Sequence, residues 1–307
     1  MVNKFKQIGM NLSDKARSFN PALPSSGCGT RSRLIHQQVA RFGSIFVTED
    51  AAGLRTLRFS PNGPRQSVVD INNPRFLALR YTKSAMLSLG LVARPGRILV
   101  LGLGGGAMPM FLRSFLPEAQ IDAVEIDPAV IDVAKRFLNF REDRRMSAYA
   151  LDGRRFIQLS SQPYDLVFLD AFALNAVPGH LITAEFLSDV SNITSKNGAV
   201  VANLWGPALN PQYDAMLCTY QEMFACLYLL EVPRVENRMV FAFPKARSLT
   251  TAGLRGHLSA TSSSLKLPFD LAELINAGFH RLDRPLLTAT VLRDPLKPLV
   301  RAHFSDQ

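Results

Sequence analysis

Residues 97–127 read RILVLGLGGGAMPMFLRSFLPEAQIDAVEID. Ile98 to Leu101 form an unbroken run of bulky apolar residues, the mark of a strand buried on both faces. Gly102, Gly104, Gly105 and Gly106 follow and allow a tight turn with no β-carbon in the way. The apolar stretch from Ala107 to Leu116 predicts a helix, so the turn presents free N–H groups at a helix N-terminus. A second strand, Ile121 to Val124, ends on Glu125, 23 residues after Gly102. At that distance an acid after the second strand of a βαβ unit reaches the hydroxyl pair of a ribose.

The alternation continues downstream. Asp127-Pro128 predicts a helix cap with proline at the first helical position, and Val130, Ile131, Ala134, Phe137 and Leu138 mark one helical face. Met146 to Leu151 reads as a third strand, ending at Asp152-Gly153 before a helix over 154–159. Asp165 to Leu169 reads as a fourth, ending on Asp170. A loop with Pro178, Gly179 and His180 leads to a helix over 183–195, closed by Lys196-Asn197-Gly198. Ala199 to Leu204 is the fifth strand. A helix over 212–225 and strand-like runs at 227–232 and 239–243 complete a doubly wound α/β domain with a mostly parallel sheet.

Upstream, short strand-like runs at 44–47, 54–59 and 67–71, separated by Gly, Pro and Asn, predict a small antiparallel β unit. A helix over 75–91 joins it to the main domain. The chain therefore divides into a basic N-terminal arm at 1–30, a β unit with its linking helix at 31–92, a nucleoside-binding domain at 93–246 and a C-terminal extension at 247–307. The extension shows one helix, over 270–277, and no evident role.

Of the 307 residues, 47% are hydrophobic and 20% charged, the balance of a soluble globular protein. No apolar run approaches the roughly 18 residues of a membrane span. The opening residues are basic but lack the apolar core of a secretory signal. Cys28, Cys218 and Cys226 are odd in number and lack zinc-like spacing, which points to a reducing cytoplasm and no metal. Residues 1–97 hold 15 Lys and Arg against 4 Asp and Glu, while residues 98–244 hold 11 against 16. The basic first third leaves a nucleic-acid partner open, but no interleaved aromatics support one, and a solubilising face accounts for it equally.

In an open parallel sheet the ligand lies beyond the carboxyl ends of the strands. The first four strands end on the glycine turn, Glu125, Asp152 and Asp170. The turn lets backbone approach a nucleoside, and Glu125 can accept from both ribose hydroxyls. Asp152 can accept from the exocyclic amine of adenine, with Gly153 offering an N–H to a ring nitrogen. Each acid also has a plainer reading: Asp127 and Asp152 as helix caps, Asp170 as the end of a turn. A partly desolvated Asp170 would equally suit a general base beside the reacting centre. Met108-Pro109 stands where a phosphate loop has Lys-Ser/Thr, which argues against phosphate binding. The turn and Glu125 would suit NAD, whereas Asp152 and Asp170 favour a nucleoside without pyrophosphate, S-adenosylmethionine or a relative. His180 reads first as a water-exposed loop residue and second as an acceptor-side candidate. Trp205 is expected to pack the pocket wall.

From Gln66 to Phe243 the chain resembles the polyamine aminopropyltransferases, the spermidine synthase family, within the class I S-adenosylmethionine-dependent methyltransferase fold. The matching pieces are ILVLGLGGGAMP, AVEIDPAVIDVAKRFL, LDGRRFI, YDLVFLDAF and VPGHLITAEFL, in the family's order and spacing. Gln66-Ser67 is similar to the family's Gln-Ser at the lip of the site. The resemblance implies a Rossmann-like, homodimeric transferase with a small-molecule acceptor and Asp170 as catalytic base. It implies a donor, S-adenosylmethionine or its decarboxylated form, held by Gln66, Gly102, Gly104, Gly105, Gly106, Glu125, Asp152 and Gly153.

Three handles for cationic amines are missing. The acid that holds the amino end of decarboxylated S-adenosylmethionine in the family is Gly105 here. The second acid after the fourth strand is Ala173, and the family's Tyr-(His/Gln)-Glu group is Lys83-Ser84-Ala85, with a lysine that would repel an amine. Each lost charge-assisted contact removes about 1.5–3 kcal/mol from amine binding. Without an acid at Gly105, a donor carrying a carboxylate is no longer repelled. The expectation is methyl transfer from intact S-adenosylmethionine to a small neutral or anionic acceptor. Aminopropyl transfer to an unusual amine comes second, and a nucleoside-binding scaffold without catalysis third.

Overall fold

The computed structural model describes residues 32–172, 177–283 and 289–295. The arm at 1–30, Ala173 and residues 296–307 lie outside the described residues. Four strands come first: β1 (Arg33–Ala40), β2 (Gly43–Glu49), β3 (Leu54–Arg58) and β4 (Ser67–Asp70), paired antiparallel in chain order. The sequence pattern foresaw three of them. β1 escaped because it buries little: Leu34 and Val39 are both exposed, so no period of two marks the strand.

The helix expected over 75–91 is two short ones, α1 (Arg80–Ala85) and α2 (Ser88–Leu91). Leu77, Met86, Leu87, Leu89 and Leu91 are all buried, so this segment is apolar all round rather than striped. Ser88 Oγ donates to Ala85 O across the break (2.8 Å), a side-chain bond that competes with the helical ladder.

The main sheet then alternates with helices: β5 (Arg97–Leu101), α3 (Ala107–Phe115), β6 (Gln120–Glu125), α4 (Pro128–Phe137), β7 (Met146–Ala150), α5 (Gly153–Leu159) and β8 (Tyr164–Leu169). It continues with α6 (Ala184–Asn192), β9 (Thr194–Trp205), α7 (Tyr213–Met223), β10 (Cys226–Glu231) and β11 (Asn237–Phe243). Two helices of the extension follow, α8 (Thr251–Leu265) and α9 (Leu271–Leu274), with a 3-10 turn at Ile275–Ala277, and a short β12 (His280–Arg281) closes the far edge. The strand order is β12-β10-β11-β9-β8-β5-β6-β7, parallel from β9 to β7 and antiparallel beyond β9. This is the doubly wound, mostly parallel sheet that the sequence implies.

Strand β5 shows why. Ile98 and Val100 join one core with Phe111 and Leu112 of α3, while Leu99 and Leu101 join the opposite core with Phe186 and Leu187 of α6. All of these side chains are buried, and each stabilises the fold by about 1.5–3 kcal/mol. A third core joins Ile45, Val47 and Leu57 of the small sheet to Val130 and Val133 of α4. The described residues from Ser32 on thus form one compact unit with two sheets.

One boundary and one whole element differ from expectation. β9 starts at Thr194, ahead of Gly198, with Lys196-Asn197-Gly198 bulging between the Tyr164–Thr194 and Leu166–Ala199 pairs. The long helix α8 had no counterpart in the sequence pattern. Its sequence, TAGLRGHLSATSSSL, holds two glycines and a run of Ser and Thr, and it buries only Leu254, Leu258 and Ser262. Weak propensity and a one-residue-wide apolar stripe hid it.

Candidate active site

The first four parallel strands end around one cavity of about 590 Å³. β5 delivers Gly102 with a φ of +97°, in the left-handed region that favours glycine. A β-carbon there would lie 2.8 Å from the carbonyl carbon of Asp170. The neighbouring strand ends are that close because Asp170 N donates to Leu101 O (2.9 Å).

At the end of β6, Glu125 turns back onto the glycine loop. Its Oε2 accepts from Leu103 N (3.3 Å) and Gly104 N (3.4 Å), and its Oε1 from Asp127 N (3.2 Å). Burial pushes the Glu125 carboxyl above its usual range, although these N–H groups pull it back. Asp127 caps α4 through Ala129 N (2.9 Å), as expected, and also borders the cavity.

Asp152 does two jobs. Its Oδ1 caps α5 by accepting from Arg155 N (3.0 Å), the plainer reading of its place in the sequence. Its Oδ2 lies 2.8 Å from His180 Nε2, so that ring nitrogen carries the proton and donates. Burial alone would raise the Asp152 carboxyl, but the Arg155 N–H and His180 outweigh it and hold it low. His180 is about half exposed, yet it borders the cavity and is tied to Asp152, which is more than a free loop histidine would show.

Asp170, at the end of β8, is held by two donors. Tyr81 Oη donates to Oδ2 (3.1 Å) and Asn203 Nδ2 to Oδ1 (2.9 Å), with Asn237 Nδ2 donating in turn to Asn203 Oδ1 (2.8 Å). Burial nevertheless pushes its pKa up from 3.8 to about 7. Burial and the adjacent Asp170 also raise the Tyr81 phenol well above its usual range, which keeps it protonated as a donor. A carboxyl poised near neutrality suits proton transfer.

Gln66, Gly102, Gly104, Glu125, Asp152, Gly153 and Asp170 all line the cavity. Gly105 and Gly106 do not: Gly106 packs on Phe140, and Gly105 faces Ser67 and Leu138. A β-carbon at Gly105 would lie 2.8 Å from Ser67 Oγ and 2.9 Å from Ser67 Cβ. Gly153 is needed for packing as well, since its β-carbon would collide with Leu101. Trp205 stacks on Phe172 at 5.6 Å between ring centroids, and Phe172 borders the cavity, so Trp205 backs the wall as expected. Lys83 is not among the residues that line the cavity, although Tyr81 and Thr82 beside it are, and Ser84 and Ala85 are buried.

Tyr81 and Asn203 were not singled out from the sequence. Asn203 carried a legible signal, an amide inside the apolar run 199–204, and it is 4% exposed. Tyr81 carried none, being 89 residues from its partner. No cluster of three metal-ligating side chains occurs among the described residues.

A spermine/spermidine synthase domain matches residues 80–243. A polyamine aminopropyltransferase of Vibrio vulnificus is 31% identical over 245 residues, covering 78% of this chain and 81% of that protein. The chain belongs to the spermine/spermidine synthase family. Among relatives of this family member is an eEF1A lysine and N-terminal methyltransferase of Xenopus laevis, 26% identical over 227 residues. The match covers 66% of this chain but only 33% of that protein. The crystal structure of human methyltransferase-like protein 13 in complex with SAH is 26% identical, with a TM-score of 0.56, over 62% of this chain and 95% of that one. These relatives are transferases, some of aminopropyl groups and some of methyl groups. Within the described residues no helix is long and apolar enough to cross a membrane.

Proposed function

We propose that this family member transfers a methyl group from S-adenosylmethionine to a neutral nucleophile that carries a proton. One observation carries the choice. Where the family has an acid for the amino end of a decarboxylated donor, this chain has Gly105, packed so closely against Ser67 and Leu138 that any side chain there would have to displace a neighbour. The turn therefore offers no carboxylate to repel the carboxylate of the intact donor.

The cavity suits such a nucleoside. Its walls are apolar around Leu103, Met108 and Val124, with the carboxylates of Glu125 and Asp152 also on its lining; in this reading Glu125 accepts from the ribose and Asp152 from the base. Bound S-adenosylmethionine supplies an electrophilic methyl group on a positively charged sulfur. The carboxylates of Glu125, Asp127, Asp152 and Asp170 favour that positive charge, and among the described residues no Lys or Arg lines the cavity. The same lining disfavours an anionic acceptor. Asp170 is the base in this reading: as the nucleophile's lone pair forms its bond to the methyl carbon, the carbon–sulfur bond breaks and its electron pair stays on sulfur, leaving neutral S-adenosylhomocysteine, while the nucleophile's proton passes to a carboxylate oxygen of Asp170. Tyr81 and Asn203 hold that carboxylate in line, so the protein contributes orientation and a proton acceptor.

Aminopropyl transfer is the second reading, favoured by the 31% identity to an aminopropyltransferase and by an acid-lined cavity that would tolerate an amine. Calorimetry separates the two. Tighter binding of S-adenosylmethionine than of its decarboxylated form supports methyl transfer. A preference of about tenfold or more for the decarboxylated form, equal to one charge-assisted contact, overturns it. Nucleoside binding without turnover leaves only a scaffold, and failure of both donors and of methylthioadenosine to bind removes the nucleoside reading altogether.

A further inference from the structure

The C-terminal extension reaches back to the cavity wall. Residues 289–295 run along α6 and α7: Ala184 N donates to Leu292 O (2.7 Å), Leu292 N to Thr219 Oγ1 (3.0 Å) and Asp294 N to Glu185 Oε2 (2.8 Å). Arg293 Nη2 adds a bond to Glu222 Oε1 (2.5 Å) on the outer surface.

Asp294 is the point at which this segment meets the site. Its Oδ1 and Oδ2 accept from Arg154 Nη1 (2.7 Å) and Nη2 (2.5 Å), a two-point grip. Its Oδ1 also accepts from Thr183 Oγ1 (2.9 Å). Arg154 follows Asp152-Gly153 directly and donates a longer bond to His180 O (3.4 Å). Thr183 caps α6 by accepting from Phe186 N (3.3 Å), at the end of the loop that carries His180. One carboxylate therefore ties the start of α5 to the start of α6. Those two points flank the Asp152–His180 pair. The Arg154 and Asp294 side chains are only 18% and 32% exposed, so solvent screens their pairing less than it would at the surface.

We propose that Asp294 is a positioning residue for nucleoside binding: through Arg154 and Thr183 it fixes the wall of the cavity formed by Asp152 and His180. The inference rests on the reading of that cavity as a nucleoside site. An Asp152 held by Arg155 N and His180 keeps one further lone pair on each oxygen for a ligand. Its orientation persists only while both helix starts stay in register. A segment far from the glycine turn in sequence thereby sets how well the turn's ligand is held, by pre-organising the wall before binding.

The test compares Asp294→Asn with Arg293→Ala in the full chain. Arg293 belongs to the same segment, but its partners Glu185 and Glu222 do not border the cavity. Calorimetry with S-adenosylhomocysteine and S-adenosylmethionine gives affinity, and amide hydrogen exchange at Leu181 and Ile182 reports the loop. Asp294→Asn is expected to weaken nucleoside binding about tenfold, the size of one lost charge-assisted hydrogen bond, and to speed exchange at both amides. Arg293→Ala is expected to leave both unchanged, and Asp294→Glu to recover part of the loss. Arg154→Lys keeps the charge without the two-point grip and should act in the same direction as Asp294→Asn, giving a milder variant if that one folds poorly. Wild-type affinity and exchange in Asp294→Asn, or equal losses in Asp294→Asn and Arg293→Ala, overturn the inference while the nucleoside reading stands. A wild-type chain that binds no nucleoside removes that reading and the inference together.

Discussion

Tyr81 and Asp170 meet at 3.1 Å across 89 residues of chain, the phenol donating to a carboxyl that burial has raised to about pH 7. The contact joins α1 to the end of β8, so the linking helix between the two sheets supports the proposed base. In the proposed reaction the deprotonated form of Asp170 is the active one. Turnover should therefore climb as pH rises through about 7 and level off above it. Asp170→Asn should abolish that limb and lower turnover by about 10²–10⁴-fold, with nucleoside affinity little changed. Pre-steady-state and calorimetric measurements on the same preparation check both halves.

The raised carboxyl also has a thermodynamic signature. A folded-state pKa above the unfolded value means that the native chain holds its proton more tightly. Between roughly pH 4 and pH 7 the unfolded state releases that proton first, so this group's stabilising contribution is lost as pH rises through the window. Asp170→Asn removes the ionisation. Chemical denaturation should show its stability relative to wild type improving from pH 5 to pH 8, by an amount on the order of 1–4 kcal/mol.

Asn203 donates to Asp170 and is itself held by Asn237. Replacing Asn203 by Ala removes a hydrogen bond that favours the charged carboxylate. The pH-rate limb should then move upward by about one unit, with a smaller loss of turnover than in Asp170→Asn. An unmoved limb would assign it to another group.

Gly105 makes a prediction about donor choice. Gly105→Asp alone should lower the melting temperature and fail to improve binding of the decarboxylated donor, because Ser67 occupies the space. Combining it with Ser67→Gly opens that space. The double variant should gain about tenfold for decarboxylated over intact S-adenosylmethionine, the worth of one charge-assisted contact. Competition binding with the two donors reads this directly.

In α8, Leu258 is fully buried against Gly90 of α2 and Leu271 of α9. Leu258→Ala should destabilise the chain by about 2–5 kcal/mol, a magnitude measurable by urea unfolding. An effect below about 1 kcal/mol would mean that the extension contributes little to the fold.

The parts legible in the sequence were those whose cause is local. Ile98 to Leu101 is buried on both faces, and its composition says so. Asp127-Pro128 caps a helix with atoms two residues apart. Glu125, Asp152 and Asp170 fall at strand ends, and the sheet's own geometry gathers them. What stayed hidden was set by distant partners. The sequence shows that Gly105 replaces an acid, but Ser67, from a different sheet, is what closes the space. Tyr81 and Asp170 are joined only by the folded chain. Helix α8 is made of weak formers that hold their shape because Leu254 and Leu258 find partners elsewhere. Asp294 sits in a stretch with no motif at all, and its importance comes from where Arg154 happens to be.

Helix α4 belongs to both halves of the molecule. Its first residue follows Asp127 at the nucleoside end, and its Val130 and Val133 are sunk into the small sheet beside Ile45 and Val47. The lip and the grip are thus geared through one rod. In the proposed reading, repacking at Ile45 in the small sheet would disturb the donor end through Val130 and Val133 of α4, without involving Asp170. Exchanging the small sheet for that of a relative would then shift donor affinity as well as acceptor choice.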